Sequence, residues 1–470
     1  MSLRALWSYL AIGLPVLAAL LAPMSTVDLT YQLRAGAEML ATGAIPAQDT
    51  WTFTVAGTPW FDQQWGAQLI LRLVEQLGGW TGLVLVRAGL TATAVGSVFY
   101  VARRRGLDAR TAALLTLAAF VVAAPAMALR PQLFGLALFA LLLVVIDLRH
   151  DRPRVLWLAP LIVAVWANMH GSFIIGPLSL GLAWLADVGQ GSGTARLTLT
   201  VAALGAVAAC ITPFGPAVWA YAVGLSSNPG VTSLITEWQP TSLRTPIGVL
   251  FYASALAVVA VLARRGRTTD WPTLLWLAAF FAIGAYAERG VAWWALGGAV
   301  AVAGLIESAE ARERTDPVLI RRVNAVTAVV IAVVAVALLP IWRPLDPGTL
   351  APTGLLTDAP SGVTGALREV VAPGDRILNP QRWGSWFEYA SPEALVAVDS
   401  RVELIPTDVW SRYERIRSGA PGWQTDLDTM AVDYVVAMPS DIAFRDRLLG
   451  DGWITSYAGA DGSLLSRSTS

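Results

Sequence analysis

Lysine is absent from the 470-residue sequence, so its 33 basic residues are all arginine, and they balance 33 acidic ones to a formal charge of zero. Arginine without lysine is a compositional mark of GC-rich bacterial genomes. The neutral total gives no electrostatic reason to expect nucleic acid as a partner. Charge of either sign is scarce: 14% of residues carry it, against about 25% in soluble domains. A water-soluble enzyme of two or three ordinary domains is thereby excluded. Cysteine occurs once, at Cys210, which excludes a disulfide within the chain and argues against a thiolate metal site. The two histidines, His150 and His170, are too few for a histidine-rich metal centre. No glycine-rich phosphate loop, Ser-His-Asp set, metal-ligand spacing or repeat of about 20 to 50 residues stands out.

Apolar residues are what the chain has in excess: 55% of the total, with mean hydropathy +0.57. A bilayer-crossing helix needs about 20 mostly apolar residues. Allowing for short members, eleven stretches qualify: roughly 4–24, 80–101, 111–129, 133–148, 155–169, 172–187, 197–213, 246–263, 271–287, 291–306 and 323–341. The first is longer than the apolar core of a cleavable signal, about 7 to 15 residues, and reads as an anchor.

Short arginine-bearing loops stay on the cytoplasmic side. With the N-terminus inside, that side receives Arg103, Arg104, Arg105 and Arg110; Arg149, Arg152 and Arg154; Arg196; Arg264, Arg265 and Arg267; and Arg312, Arg314, Arg321 and Arg322. The outer side receives loop 25–79, loop 214–245 and everything from 343 onward. Residues 343–470 are rich in charge, Pro and Gly and read as a small soluble α/β domain. Strands are expected at 394–398 and 434–438, helices at 362–371 and 442–449. The expected organisation is a multi-spanning domain over 1–342, which includes loop 25–79, and an extracytoplasmic domain over 343–470.

Loop 25–79 is the most informative segment. Asp28 stands just past the first span, where a carboxylate keeps its charge at the lipid boundary and reaches a lipid-linked head group. A surface helix is expected over 29–42 and another over 62–77, with Trp65 and Trp80 as interfacial anchors. The structural alternative makes Asp28 the cap of helix 29–42, and Asp49 and Asp62 turn residues.

Three segments of this loop share a pattern: Asp28-Leu29-Thr30-Tyr31-Gln32-Leu33-Arg34-Ala35-Gly36; Gly43-Ala44-Ile45-Pro46 running to Asp49, Trp51 and Phe53; and Gly57-Thr58-Pro59-Trp60 running to Trp65. With Leu129-Arg130-Pro131-Gln132-Leu133-Phe134, Trp166 through Phe173, Glu237-Trp238, Asn379-Pro380, Trp383-Gly384 and Asp399 through Leu404, the sequence resembles integral membrane proteins of the GT-C glycosyltransferase superfamily, including its dolichyl-phosphate-mannose mannosyltransferase-like bacterial members. The resemblance implies a GT-C-like helical polytopic fold and a sugar donor carried on a polyprenyl phosphate or pyrophosphate. It also implies that an acid of the first outer loop is the general base. Asp28 matches that acid and Asp49 is the second acid of the loop. Val27 and Leu29 flank Asp28 where many relatives have an adjacent acidic pair, which leaves the base open between Asp28 and Asp49 and gives no support to a metal.

Such chemistry needs a base at the acceptor hydroxyl and cations around the departing phosphate. Arg130, His170 and the Glu288-Arg289 pair fall at outer helix ends, and Arg244 in an outer loop. Arginine holds phosphate oxygens in pairs. Each has a structural alternative: a snorkelling arginine, a helix-closing histidine, a self-neutralised pair. Arg87 lies inside a span, where a charge normally faces a cavity or a partner, with Glu75 or Asp62 as the alternative partner. Glu237 and Trp65 complete the candidate substrate contacts. Trp383, Trp386 and Tyr389 with Asp399, Arg401 and Glu403 suit either a sugar platform or a packed core.

The expected function is transfer of a sugar from a polyprenyl-phosphate donor to a glycan, lipid or protein acceptor of a bacterial cell envelope, at the plasma membrane and without a cofactor. A transporter or flippase of lipid-linked precursors, or a non-catalytic scaffold, is the alternative.

Overall fold

The computed structural model describes residues 1–227, 235–306 and 317–467. Arg312 and Arg314, and residues 228–234 of the expected loop 214–245, lie outside the described residues. Every one of the eleven expected spans contains a helix. Among the described residues seven helices are long and apolar enough to cross a membrane: Leu3–Leu21, Trp65–Arg104, Ala109–Met127, Pro131–Leu148, Gly171–Gly189, Pro246–Arg265 and Val318–Ala337. Pro153–Met169, Ala195–Ala208 and Trp271–Tyr286 are apolar but shorter, and Val291–Ala303 has 13 residues, all buried. The chain is an α-helical polytopic membrane protein. Among the described helices before residue 340, Ala217–Ser227 was not expected; it occupies part of loop 214–245, its 11 residues being too few to read as a span.

The starts of these helices follow from local chemistry. Ser2 accepts a hydrogen bond from the amide of Ala5, Asp108 caps Ala109–Ala123 through the amides of Arg110 and Thr111, and Thr245 caps Pro246–Arg265 through Gly248. Each satisfies amides that have no partner inside the helix. Pro131 and Pro246 stand at first helical positions, where the missing N–H costs nothing.

The contacts divide the chain into two compact units. The first contains Met1–Ala22 and the described residues from Leu83 to Leu339. Its core is aromatic: Phe139 packs on Trp166, Phe280 and Trp293, with centroids 6.2, 5.5 and 5.4 Å apart. Gly135 makes this packing possible, since a Cβ there would stand 2.7 Å from Trp166 Nε1.

The second unit contains Pro23–Gly82 and the chain from Pro340 onward. Its strands are β1 (Met24–Ser25), β2 (Leu356–Thr357), β3 (Arg376–Leu378), β4 (Leu395–Val396), β5 (Tyr434–Ala437), β6 (Trp453–Gly459) and β7 (Gly462–Arg467). A five-stranded sheet runs in the order β4-β3-β5-β7-β6. β3 is parallel to β4 and β5, and β7 is antiparallel to β5 and β6. Asp461, in the β6–β7 turn, accepts from the amides of Gly362 and Val363 and so caps helix Ser361–Val370.

Loop 25–79, assigned from sequence to the membrane domain, packs instead with the C-terminal region. β1 pairs with β2 in parallel, and Thr52 bridges Val396. Val55 is buried in one cluster with Leu378, Val398 and Ile405. Helix Leu29–Thr42 ends at Gly43 in the left-handed conformation, φ 70°, and the helical run Trp65–Arg104 is broken at Gly79, φ 56°.

Candidate functional site

Two groups of polar residues bear on chemistry, one in each unit. In the second unit Arg401 is the centre. Its Nε donates to Asp399 Oδ2 at 2.7 Å, and its Nη2 donates to Asp49 Oδ1 at 2.6 Å and to Glu388 Oε1 at 3.3 Å. The guanidinium lies 4.3 Å from the ring centroid of Trp51 and 4.7 Å from that of Trp60. All four charged residues are at most 1% exposed, where an unpaired charge is prohibitive. Burial, followed by the charge of Asp399, pushes Glu388 well above the usual carboxylate range. Burial pushes Asp399 the same way, but the Arg401 guanidinium outweighs it and holds Asp399 low. Glu388 is therefore the protonated member.

Asp49 belongs to this group. Its second oxygen, Oδ2, accepts from the amide of Thr52 at 3.1 Å and from its hydroxyl at 2.6 Å. A carboxylate with 0% exposure and both oxygens engaged is placed as a tie between loop and sheet domain.

Asp28 is half-buried. It occupies the N-cap position of Leu29–Thr42 without a side-chain capping bond. The residues just before it are held: Ser400 Oγ donates to Val27 O at 2.6 Å, and Thr26 Oγ1 to Asp358 O at 2.8 Å. Thr26, Leu29 and Thr30 are buried. Two neighbouring acids hold their protons unusually tightly. Glu403 is pushed up to about 7 by burial, with the charges of Asp399 and Asp28 adding to it. Asp62 is pushed up to about 7 by burial, against the hydrogen bond from Gln68.

Trp65 packs with Trp51, Trp60 and Leu404 in a hydrophobic cluster, and of the aromatic residues that suited either a sugar platform or a packed core, Trp383 and Trp386 are buried. Glu75 is bonded to Arg72 and Tyr389 and Asp62 to Gln68.

The first unit holds a small, partly open cavity lined by Arg130, Gln132, Glu237, Glu288 and Arg289 among apolar residues. Arg130 Nη1 donates to Glu237 Oε1 at 2.8 Å. Burial raises the affinity of Glu237 for its proton, but the Arg130 pairing prevails and keeps it charged. Glu288 is pushed up by burial and by the charge of Glu237. Arg289 lies over the ring of Trp238, 4.1 Å from its centroid. The sequence brought Arg130, Glu237 and Arg289 forward separately; the fold places them around one cavity.

Of the other candidates, His170 stands within electrostatic reach of Arg289 and Arg130. His170 closes helix Leu158–Met169, and its Nδ1 accepts from the amide of Ser172 at 3.1 Å. Arg244 is exposed. In the same unit as the cavity, Arg87 Nη2 donates to Ala22 O at 2.6 Å. Gln132 was missed as a site residue, although an amide beside Pro131 at the head of an apolar helix is a visible signal. Among the described residues no group of three or more His, Cys, Asp or Glu side chains has the arrangement to hold a metal ion.

An apolar helical unit with an arginine-lined cavity, together with a mixed α/β unit that absorbs the first long loop, makes up this polytopic membrane protein. Solved structures share this fold. An oligosaccharyltransferase of Archaeoglobus fulgidus, AglB, in complex with an inhibitory peptide and a dolichol-phosphate, matches with TM-score 0.58 and 12% identity over 91% of this chain and 68% of its own. ArnT of Cupriavidus metallidurans bound to undecaprenyl phosphate matches with TM-score 0.53 and 15% identity over 98% of both chains. Neither a protein-family model nor a curated protein sequence matches the chain.

Proposed function

We propose that the protein is a membrane glycosyltransferase that moves a sugar from a polyprenyl-phosphate carrier to a cell-envelope acceptor on the extracytoplasmic face. One observation carries the reading: two arginines line a single cavity of the membrane unit, in a fold shared with proteins crystallised with dolichol-phosphate and with undecaprenyl phosphate. Arg130 and Arg289 hold the carrier phosphate, which guanidinium groups bind in paired hydrogen bonds.

Asp28 is the base. The acceptor O–H gives its proton to the Asp28 carboxylate while the acceptor oxygen bonds to the anomeric carbon. The bond from that carbon to the phosphate oxygen breaks, and its electron pair leaves with the phosphate. Asp49 is the structural acid, because its oxygens are committed to Arg401 and Thr52. The arginine distribution supports a cytoplasmic N-terminus and an extracytoplasmic C-terminal region.

The test is transfer of radiolabel from undecaprenyl-phosphate sugars by the protein in lipid nanodiscs, with membrane extract as acceptor source. Label leaving the carrier in the wild type and not in Asp28→Asn supports the reading. Equal turnover in both overturns the assignment of the base.

A further inference from the structure

Gln132 lines the cavity, is 2% exposed, and has no hydrogen-bond partner at Nε2 or at Oε1. Buried amides are nearly always bonded, and leaving both ends of one unsatisfied is costly. The side chain is not needed to start its helix, which Pro131 opens at the first position. Its amide is therefore unspent.

The unspent atoms specify what they fit. A phosphate ester in its dianionic or monoanionic form presents acceptor oxygens almost exclusively. The cavity has donors for these in Arg130 and Arg289. Gln132 Oε1 is an acceptor and requires a donor from the ligand. Glu237 and Glu288, in the same lining, are acceptors as well. A bare lipid phosphate leaves this side of the cavity unmatched. A hydroxyl both donates and accepts, so adjacent ring hydroxyls answer the amide at both ends.

We propose that Gln132 is a specificity-determining contact that reads hydroxyl groups of the sugar on the carrier, so that the membrane unit contributes to the choice of sugar. The proposal rests on the glycosyltransferase reading and names the part of the donor this cavity takes. Sites that bond a substrate hydroxyl through a buried polar group discriminate strongly against ligands lacking it.

The test uses the full-length protein in nanodiscs and compares the affinity of undecaprenyl phosphate with that of its mannosyl, glucosyl and galactosyl phosphodiesters. The wild type is expected to prefer at least one glycosylated carrier over the bare phosphate. Gln132→Met, close to glutamine in volume and without the amide, is expected to weaken that carrier about tenfold and to leave bare undecaprenyl phosphate within about twofold. Gln132→Glu retains the acceptor oxygen in the same volume and is expected to keep the preference for the sugar; it carries the test if the methionine variant does not fold. A wild type without preference, or a loss in Gln132→Met that is equal for bare and glycosylated carriers, overturns the proposal. Bare-phosphate binding that survives Arg130→Gln with Arg289→Gln overturns the underlying phosphate assignment instead, which separates the two failures.

Discussion

Arg401 and Asp49, 352 positions apart in sequence, are joined by a hydrogen bond of 2.6 Å inside a pocket closed by Trp51 and Trp60. Loop and C-terminal domain thus share one buried ion cluster, and the consequences of substitution differ by member. Asp49→Asn removes a charge that Arg401 needs and leaves the guanidinium under-compensated, a change that typically costs about 3 to 5 kcal/mol. Glu388 is already protonated, so Glu388→Gln preserves the charge count and is expected to cost much less. Thermal unfolding in nanodiscs should show a large fall for Asp49→Asn and a small one for Glu388→Gln; equal falls would contradict the assignment of the proton to Glu388.

Asp28 is the residue on which the proposed chemistry turns. The residues before it are tied to Ser400 and Asp358, and its side chain makes no capping bond to the helix it precedes. Asp28→Asn is expected to leave the unfolding temperature close to wild type and to lower kcat by about 10² to 10⁴, the range for loss of a general base. KM for the carrier should move little. A parallel loss of stability and activity would return Asp28 to a structural role.

How far the sequence discloses these relationships depends on the range of the interaction. The membrane helices are legible because a bilayer demands a continuous apolar run, and helix Leu29–Thr42 is legible because Asp28 and Gly43 bracket it. The strands at 395–396 and 434–437 show as short apolar runs, whereas β6, exposed along much of its length, carries no such run. Helix Ala217–Ser227 is apolar but too short to be read as a span. The Arg401 cluster is invisible in sequence, since nothing local at Asp49 or Glu388 announces a partner hundreds of residues away. Arg130, Glu237 and Arg289 could be named individually, but their meeting around one cavity depends on how three separate segments pack.

Asp62 gives stability a pH dependence whose sign is fixed. Its carboxyl titrates at about 7 in the folded protein, against 3.8 for the ordinary group. Between those values the folded state holds a proton that the unfolded state has released, so this contribution is fully present below about pH 4 and is lost as pH rises through 7. Asp62→Asn retains the oxygen that accepts from Gln68 and cannot ionise. The difference in unfolding temperature, wild type minus Asp62→Asn, is expected to fall steadily from pH 4 to pH 8. A flat difference would mean that Asp62 is ionised throughout.

Glu237 competes for the cation that the carrier phosphate needs. The Arg130–Glu237 bond of 2.8 Å keeps that carboxylate charged, and an incoming phosphate must share Arg130 with it. Glu237→Gln removes the competing charge and preserves much of the side-chain volume. Bare undecaprenyl phosphate is therefore expected to bind about two- to fivefold more tightly to Glu237→Gln, a change of about 0.4 to 1 kcal/mol and of the size of a partly exposed ion pair. Arg130→Gln should act in the reverse direction and more strongly. Because Glu237 titrates below the ordinary carboxylate range, the gain should be constant from pH 6 to pH 8. Calorimetric titration of both variants at low and moderate salt checks the sign, and weaker binding in Glu237→Gln would place Glu237 among the groups that hold the head group rather than those that oppose it.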